Sequence, residues 1–455
     1  MDALRNWTLE SVADVLHCQA PVEDVRFSGV SIDTRSIEKG DLFIAITGEN
    51  FDGNDYVDIA KQNGAVAAIV SKELDVALPH LNVNDTRIAL GELACAHRLN
   101  FKKPLIGLTG SNGKTTVKEL LGAILKRCGV VLATKGNFNN DIGLPLTLLS
   151  LNMKEDFAVI EMGANHPGEI AYLSNIARPD IAILNNAGAA HLEGFGSLEG
   201  VARAKGEIFE ALDENGIAII NCDDDFADYW LSITSHCKRV GFGISSSDAE
   251  VRASKLESGE SGVAFDLSYG GKSVRINLPL YGEHNVRNAL AASAAAIALQ
   301  VPLQTIQEAF EGFEPVGGRL KSMRALHNCL IFDDTYNANP SSMKAGIDVV
   351  VAMPGDAILV MGDMLEGGKT SDADHRDIGI YAKEAGIKRL FAYGAYSANA
   401  VGIFGEGGQH FSEHAQLIEE LKKTVNENSV VLIKGSRGMR MERVVEALIE
   451  QERGA

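Results

Sequence analysis

One short segment constrains this chain more than any other, a glycine-containing loop between an apolar strand and a helix. Residues 105–108 are apolar and predict a buried strand, and the pattern after the loop predicts a helix from about 115 to 127. Backbone N–H groups of such a loop surround phosphates at a helix N-terminus, while a lysine adds a cation and a threonine hydroxyl can bind Mg²⁺. The sequence therefore predicts an ATP or GTP site. Its loop consists of Thr109, Gly110, Ser111, Asn112, Gly113, Lys114, Thr115 and Thr116.

Two other features of this loop bear on its interpretation. Leu108 stands where the usual phosphate-loop pattern has its first glycine, so Gly110 and Gly113 must supply the backbone freedom. A glycine turn that happens to contain a lysine is the alternative. The order strand, loop, helix argues against that alternative.

Alternation of strand and helix on both sides of the loop predicts an α/β fold with parallel sheets. Apolar strands are expected in two groups, at 130–133, 157–160, 181–184 and 217–220, and at 330–332, 357–361, 389–392 and 430–433. Between the groups, a period-two pattern at 263–269 and 273–280 predicts an antiparallel appendage, followed by a helix over 286–299. The second group predicts another doubly wound sheet.

Three domains are expected, which agrees with the length of 455 residues. Short strands at 41–46 and 65–70 predict a small mixed α/β domain at 1–83. The central phosphate-loop domain is placed at 84–314, and a Rossmann-like doubly wound domain at 315–455. A glycine-bearing linker at 313–320 would let the last domain close on ligands.

Composition excludes several classes of protein. A formal net charge of −19 disfavours binding to nucleic acid or to an anionic membrane surface. The six cysteines are scattered without a C-x-x-C pair, which is typical of reduced cytosolic thiols. The first residues lack the apolar core of a signal peptide, and the apolar stretch at 288–299 is too short to span a bilayer. We therefore expect a cytoplasmic protein without membrane insertion, and a monomer.

The form T-G-S-N-G-K-T-T of the loop resembles that of the Mur ligase family and of folylpolyglutamate synthase. This resemblance implies an ATP-dependent amide ligase in which a carboxylate first takes the γ-phosphoryl group of ATP. An amine then attacks the acyl phosphate. Lys114 and two Mg²⁺ ions would offset the crowded negative charge during phosphoryl transfer.

The resemblance also assigns metal and catalytic residues. Glu161, at the end of the strand over 157–160, matches the magnesium-binding glutamate of the family. His191 matches a histidine that binds a second Mg²⁺. Lys205, in Lys-Gly-Glu-Ile-Phe, matches a lysine that is carbamylated and so becomes an oxygen ligand. Lys114, Lys205 and His191 are the predicted catalytic residues, and Thr115, Glu161, His191 and Lys205 the metal-binding ones.

Family positions extend to nucleotide and substrates. Beyond the loop, Asn288, Arg319 and Asp334 are predicted to contact ATP. For the UDP-sugar peptide the matching residues are Ser31, Thr34, Arg35, Asn139 and Asn140. For the amine acceptor they are Asn337, Asn339, Lys434, Ser436 and Arg437.

Simpler interpretations exist for several of these residues. A lone loop histidine is usually no ligand, and Lys205 taken alone predicts a solvated helix lysine. His284 and Asn285 could cap the helix that follows. Arg319 could form a surface salt bridge, and the asparagines before Pro340 could cap a helix.

Within the family, one member is favoured. The Asp-Asn-Pro-Arg motif of the diaminopimelate-adding ligase is absent, whereas the segments starting at Asp33 and at Asp333 resemble the member that adds D-alanyl-D-alanine to UDP-N-acetylmuramoyl-tripeptide. That reaction is a step of peptidoglycan synthesis. A nucleotide-driven switch or motor is the alternative of another class. The sequence leaves open whether the third residue of the tripeptide is diaminopimelate or lysine.

Overall fold

The computed structural model describes residues 7–19, 23–48, 50–189, 192–259 and 261–449. Within these ranges the strands form three separate sheets of four, nine and six strands, with helices packed against them. This arrangement confirms the predicted α/β fold class.

The first sheet is small and wholly parallel. Its strands lie in chain order, β1 (Gly29–Ser31), β2 (Asp41–Ile44), β3 (Ala67–Val70) and β4 (His80–Asn82). Its helices are α1 (Leu9–Val15) and α2 (Val57–Asn63). Every residue of β2 and β3 is buried because helices or loops cover both faces of the sheet.

The central sheet carries the phosphate loop. Its strands are β5 (Leu105–Thr109), β6 (Val131–Ala133), β7 (Phe157–Glu161), β8 (Ile181–Leu184), β9 (Ile217–Asn221), β10 (Lys238–Gly243), β11 (Val251–Gly259), β12 (Gly262–Tyr269) and β13 (Lys272–Leu278). The spatial order is β13-β12-β11-β10-β9-β8-β5-β7-β6, parallel except for the pairs β11–β12 and β12–β13. Because β5 lies between β7 and β8, the loops that follow these three strands meet at one edge.

Nine helices in the described ranges belong to this central unit. They are α3 (Thr86–Asn100), α4 (Lys114–Lys126), α5 (Gly143–Leu149), α6 (Glu169–Ala177), α7 (Leu192–Phe195), α8 (Leu198–Gly206), α9 (Ala227–Ile233), α10 (Glu283–Ala298) and α11 (Leu303–Glu311). The alanine-rich helix α10 packs on α4, and its alanines are almost fully buried. Small side chains let these two helices approach closely, which places the start of α10 beside the phosphate loop.

The third sheet repeats the doubly wound pattern. Its strands are β14 (Lys321–Arg324), β15 (Leu330–Asp334), β16 (Asp356–Gly362), β17 (Arg389–Tyr393), β18 (Gly408–Phe411) and β19 (Ser429–Lys434), in the order β14-β15-β19-β16-β17-β18. Only β14 runs antiparallel to its neighbour. The helices are α12 (Pro340–Val351), α13 (Ser371–Ala385), α14 (Ser397–Phe404), α15 (His414–Thr424) and α16 (Glu442–Ile449).

The hydrophobic pattern of the sequence did not predict all of the strands. The sequence analysis named no strand at the positions of β1, β4, β10, β11, β14 and β18, and β14 rather than β15 opens the third sheet. Strand β11 has a polar sequence in which Val251 and Ala253 are the buried residues, and β14 is a half-buried edge strand. Pairing with a neighbour, rather than apolar pattern, forms these strands. Among the described residues, no helix combines the length and apolar character needed to cross a membrane.

Candidate active site

The strand ends of the central and third sheets face each other across one cleft of about 1400 Å³. The central sheet contributes the loops after β5, β7 and β8, and the third sheet contributes the loop after β15 and the last residue of β19, Lys434. Most of the predicted site residues line this central cleft, namely Ser111, Asn112, Gly113, Lys114, Thr115, Thr116, Asn139, Asn140, Glu161, Asn288, Arg319, Asp334, Asn337, Asn339 and Lys434.

The phosphate loop is held in a fixed shape by two asparagines that follow β8. The side chain of Asn186 accepts from the Asn112 N–H at 2.9 Å and donates to the Asn112 carbonyl at 3.1 Å. Gly113 then adopts a positive φ of 78° as the N-terminal cap of α4. A Cβ there would lie 2.2 Å from Oδ1 of Asn288, so only glycine fits. The first N–H groups of α4, which lack partners within the helix, point toward the cleft end of the loop.

Lys114 folds back over the loop. Its Nζ donates to the Gly110 carbonyl at 2.6 Å and to the Ser111 carbonyl at 3.3 Å. Burial lowers the pKa of Lys114, Glu161 opposes that effect, and the Arg319 cation adds to it. A polyanion in the cleft would relieve the repulsion between the two cations.

Thr115, Glu161 and Asn139 form a compact oxygen-rich group at the base of the cleft. The Thr115 hydroxyl donates to Oε2 of Glu161 at 2.9 Å, and Nδ2 of Asn139 donates to Oε1 at 2.9 Å. Glu161 is only 3% exposed and ends strand β7, so its position is set by the sheet. A hydroxyl and a carboxylate at this spacing suit Mg²⁺, which is usually held by few protein oxygens together with phosphates and water.

The fit of a metal can be judged from this donor set. Among the described residues, no group of three or more His, Cys, Asp or Glu side chains is close enough to bind an ion by itself. Thr115 and Glu161 nevertheless fit a Mg²⁺ that shares its other ligands with a nucleotide. His191, the predicted ligand of a second ion, lies outside the described residues.

Lys205 is buried, not solvated, which overturns its simpler interpretation as a surface lysine. It lies in the last turn of α8 and is 1% exposed. Its Nζ donates to the Ala164 carbonyl at 3.2 Å and lies 5.2 Å from the ring centre of Phe195. Burial, together with the Lys114 cation, lowers the pKa of Lys205 to about 7. The amine is therefore partly neutral near physiological pH.

A chain of buried amides supports the loop, and it joins Asn285 and Asn288, which the sequence singled out, to Asn185, which it did not. Asn185 donates through Nδ2 to the Asn112 carbonyl at 2.9 Å and to Oδ1 of Asn288 at 2.8 Å. Asn288 donates to Asn285 at 3.0 Å, and Asn285 donates to the Tyr281 carbonyl at 2.8 Å. Each amide is oriented by the next, so the loop position depends on all of them. The sequence signal for Asn185 was the asparagine pair at 185–186, directly after a strand.

The same contacts correct two further expectations. Helix α10 is capped by Gly282 without a side-chain bond, so His284 and Asn285 do not cap it. Arg319 forms no surface salt bridge in the part of the chain that the structure describes. Its guanidinium donates to the Thr115 hydroxyl at 2.8 Å and lies 4.0 Å from the ring centre of Tyr336.

The third sheet touches the phosphate loop directly. Nδ2 of Asn339 donates to Oδ1 of Asn112 at 2.8 Å, and Nδ2 of Asn112 donates to the Ser341 hydroxyl at 3.0 Å. Asn339 also caps α12 through a capping box with Ser342, as expected from its position before Pro340. We call this pair of bonds between Asn112 and the start of α12 the Asn112 clasp.

Two predicted residues of the third sheet bind each other. Nζ of Lys434, 3% exposed, lies 2.6 Å from Oδ2 of Asp334 and also donates to the Asn337 carbonyl at 2.8 Å. The other Asp334 oxygen accepts from the Leu320 N–H at 3.1 Å. Both side chains line the cleft, but in this arrangement each is already engaged with a protein partner.

Other predicted residues lie elsewhere. Within the described ranges, Gly110, Lys205, Ser436 and Arg437 do not line the cleft, nor do Ser31, Thr34 and Arg35 of the first sheet. Arg35 is exposed and bound to Asp33 at 2.7 Å, and Ser436 accepts from the Leu365 N–H at 2.9 Å. Gly110 and Lys205 lie directly behind the cleft wall, through their contacts with Lys114 and Ala164.

The chain matches known families along most of its length. The matching descriptions are Mur ligase family, catalytic domain, over residues 26–98; Mur ligase middle domain over 108–296; and Mur ligase, glutamate ligase domain, over 318–437. The Lys114, Thr115 and Glu161 group falls in the second match and the α12 side of the cleft in the third.

Individual proteins are also similar to this chain along almost its whole length. UDP-N-acetylmuramoyl-tripeptide--D-alanyl-D-alanine ligase of Escherichia coli (strain K12) is 45% identical over 97% of this chain and 98% of its own length. A solved structure of UDP-N-acetylmuramoylalanyl-D-glutamyl-2,6-diaminopimelate--D-alanyl-D-alanyl ligase from Acinetobacter baumannii is 36% identical, with a TM-score of 0.87 and 98% coverage of both chains. The MurF ligase from Thermotoga maritima in complex with ADP is 29% identical, with a TM-score of 0.84 over 94% of this chain and 98% of that one. From its first sheet to its last, this chain belongs to the Mur ligase family.

Proposed function

We propose that the protein is an ATP-dependent ligase that adds D-alanyl-D-alanine to UDP-N-acetylmuramoyl-tripeptide, a step of peptidoglycan synthesis. The observation that carries this proposal is the group of Lys114, Thr115, Glu161 and Asn139 at the base of a cleft that a second sheet closes. The names of the relatives that cover almost the whole chain support the choice of substrates.

ATP would lie with its triphosphate on the N-terminus of α4. The free N–H groups of the helix and Nζ of Lys114 would bind the phosphate oxygens. Arg319 reaches the same point from the third sheet, through Thr115. Asn288 would contact the nucleoside, and Asp334 the ribose. Phosphate oxygens would then take over the contacts that Lys114 now makes with loop carbonyls.

The peptide carboxylate would approach the γ-phosphorus from the side of Asn139. A carboxylate oxygen forms a bond to that phosphorus while the bond to the bridging β–γ oxygen breaks, and ADP leaves with the electron pair. The amine of D-alanyl-D-alanine then attacks the acyl carbon, and inorganic phosphate departs with the electron pair of the broken C–O bond. The amine first loses a proton from its ammonium form to water, and its nitrogen loses a second proton to water as the amide forms. One ATP is consumed for each amide formed.

The divalent ion fits the donor set described above, with Thr115 and Glu161 as its protein oxygens. Bound Mg²⁺ would offset phosphate charge during transfer. We further propose that Lys205 is carbamylated, because a neutral amine is the form that adds CO₂ and the pKa of this buried amine is about 7. The product would be a carboxylate-like group in the same pocket. His191 completes our proposed set for a second ion.

Each of the three sheets belongs to a separate domain, and each domain has its own proposed ligand. We propose the boundaries 1–83, 84–314 and 315–455, with the first unit binding the UDP-sugar peptide through Ser31, Thr34 and Arg35. The last unit would hold the dipeptide through Asn337, Asn339, Lys434, Ser436 and Arg437. Since these residues do not all line the present cleft, binding of both substrates requires a change in the relative position of the units.

Two properties of the whole protein complete the proposal. We propose a monomer as the active unit. None of the six cysteines, all of which lie within the described residues, forms a disulfide, which agrees with the reducing cytoplasm as the place where we propose it acts.

A coupled assay tests the proposed function. ADP, phosphate and the UDP-linked product are measured with both substrates and with each one omitted. We expect equal amounts of ADP, phosphate and amide, and no turnover without D-alanyl-D-alanine. Lys114→Ala should abolish product, whereas Lys126→Ala, an exposed lysine at the other end of α4, should not. Steady ATP hydrolysis without either substrate would instead favour a switch or motor.

A further inference from the structure

A carboxylate on the third-sheet side of the cleft belongs to neither the nucleotide group nor the metal group. Glu366 lies in the loop after β16, and its exposed side chain lines the cleft. Nδ2 of Asn337 donates to Oε1 of Glu366 at 3.0 Å. Because Asn337 is one of the residues predicted to bind the amine acceptor, Glu366 lies on the acceptor side of the cleft.

The loop that carries Glu366 is held from behind by two buried side chains. Nε2 of His375, a residue that is 0% exposed, accepts from the Met364 N–H at 3.0 Å. Oγ of Ser436, which is also buried, accepts from the Leu365 N–H at 2.9 Å. The two residues before Glu366 are therefore fixed through their backbone, so the side chain of Glu366 starts from a fixed point on the cleft wall.

This point is close to the phosphate loop. Asn339, two residues after Asn337, donates to Oδ1 of Asn112 at 2.8 Å. Two residues of extended chain span at most about 7 Å, so the amide that binds Glu366 lies a short distance from the loop. Burial lowers the pKa of Lys114, and the charge of Glu366 is among those that oppose this fall. Glu366 therefore faces the proposed site of the γ-phosphate from the opposite wall.

The charges of the cleft indicate which ligand this carboxylate suits. Lys114 and Arg319 face the place of the phosphates, where they would repel an ammonium group that approached the acyl carbon. Asp334, the other carboxylate that the third-sheet unit contributes to the cleft in the described ranges, is bound to the Lys434 cation at 2.6 Å. Glu366 accepts from a neutral amide. A carboxylate can accept several donors at once, so an ammonium group can join that bond.

Resting on the proposed function, we propose that Glu366 binds the ammonium group of D-alanyl-D-alanine and directs its nitrogen toward the acyl carbon. Charge-assisted hydrogen bonds would hold the protonated dipeptide on the carboxylate. One proton then leaves to water, and the remaining N–H groups stay bound to Glu366 while the nitrogen lone pair attacks. The N–C bond forms, inorganic phosphate departs with the electron pair of the C–O bond, and the nitrogen loses a second proton to water. Glu366 itself is unchanged at the end.

The test uses an acceptor without positive charge. Hydroxylamine, which is uncharged at the pH of the assay, attacks the acyl phosphate and yields a hydroxamate and inorganic phosphate. Its rate is compared with kcat/KM for D-alanyl-D-alanine, both at saturating ATP and UDP-linked tripeptide. Glu366→Gln should lower kcat/KM for the dipeptide by about tenfold to hundredfold, whereas the hydroxamate rate should stay within about twofold. Glu366→Asp keeps the charge and should retain part of the dipeptide rate.

The control is Glu384→Gln, at an exposed carboxylate on α13 outside the cleft, which should change neither rate. Equal loss of both rates in Glu366→Gln would show that Glu366 only supports the loop, and would overturn the inference. An unchanged kcat/KM for the dipeptide in this variant would overturn it as well. A wild-type protein that forms no amide from ATP, the UDP-linked tripeptide and the dipeptide would overturn the proposed function itself.

Discussion

Replacing Lys205 with methionine should make the protein more stable and inactive at the same time. Lys205 is 1% exposed, and burial with the nearby Lys114 cation lowers its pKa from an ordinary 10.5 to about 7. Methionine has a similar length and carries no charge, so it keeps the packing and removes the ionisable group. The substitution therefore separates the function of the amine from its energetic cost.

The size of the effect follows from the pKa. One pKa unit corresponds to about 1.4 kcal/mol, so at or below pH 7 the buried amine costs the folded state on the order of 4 kcal/mol. Loss of the hydrogen bond from Nζ to the Ala164 carbonyl removes about 1 kcal/mol of stabilisation. Lys205→Met should then raise the free energy of unfolding by about 3 kcal/mol at pH 7.

The pH dependence has a definite sign. Between pH 7 and 10.5 the unfolded chain binds a proton at Lys205 that the folded chain lacks, so wild-type stability gains from each rise in pH. The advantage of Lys205→Met should shrink by about 1.4 kcal/mol per pH unit across this window. Starting from about 3 kcal/mol at pH 7, the advantage should vanish at about pH 9.

Urea unfolding in CO₂-free buffer at pH 7, 8 and 9 measures this difference, with ligase turnover measured in parallel. Lys126→Met, an exposed lysine on α4, serves as the control and should change neither quantity. Two results would refute the reasoning. One is a Lys205→Met protein less stable than wild type at pH 7, and the other is an advantage that stays constant with pH. Retention of full turnover would reject the carbamate role.

Two further substitutions test the nucleotide side of the cleft. Gly113→Ala should lower ATP affinity at least tenfold and destabilise the protein by about 1–2 kcal/mol. The reason is that φ of this residue is 78° and that the new methyl group would clash with Asn288. Calorimetric titration with ATP measures the affinity, and an unchanged affinity would contradict the prediction. Arg319→Lys keeps the charge but loses the planar contact with Tyr336 and the short bond to Thr115, so kcat/KM for ATP should fall about tenfold. Steady-state kinetics measure this change, and an unchanged kcat/KM for ATP in Arg319→Lys would mean that a point charge at this position is sufficient.

Local sequence was sufficient to predict the phosphate loop and most parallel strands. Strand β5, the loop and helix α4 are contiguous, so their order is visible without any long-range information. Glu161 was also predictable as a cleft residue, because an acid at the end of a parallel strand has one direction in which to point. The fold class, which is confirmed, was predictable because the alternation of strands and helices is also a local property of the sequence.

Long-range contacts set the features that the sequence did not reveal. The burial of Lys205 depends on where α8 packs beside the loop of Ala164, and helix periodicity does not report that position. Asn185 reaches Asn288 across 103 residues of chain. The roles proposed for the site residues all stay predictions, and Ser31, Ser436 and Arg437 also lie away from the cleft.

The Asn112 clasp has a consequence for how such an enzyme can evolve. The Asn112 side chain gives both its donor and its acceptor to the start of α12, while the Asn112 backbone shapes the loop on which we propose that ATP binds. A mutation of Asn112 should therefore change two equilibria together, the binding of ATP and the docking of the third sheet. Natural selection therefore cannot tune nucleotide affinity at this position without also altering how long the product stays enclosed.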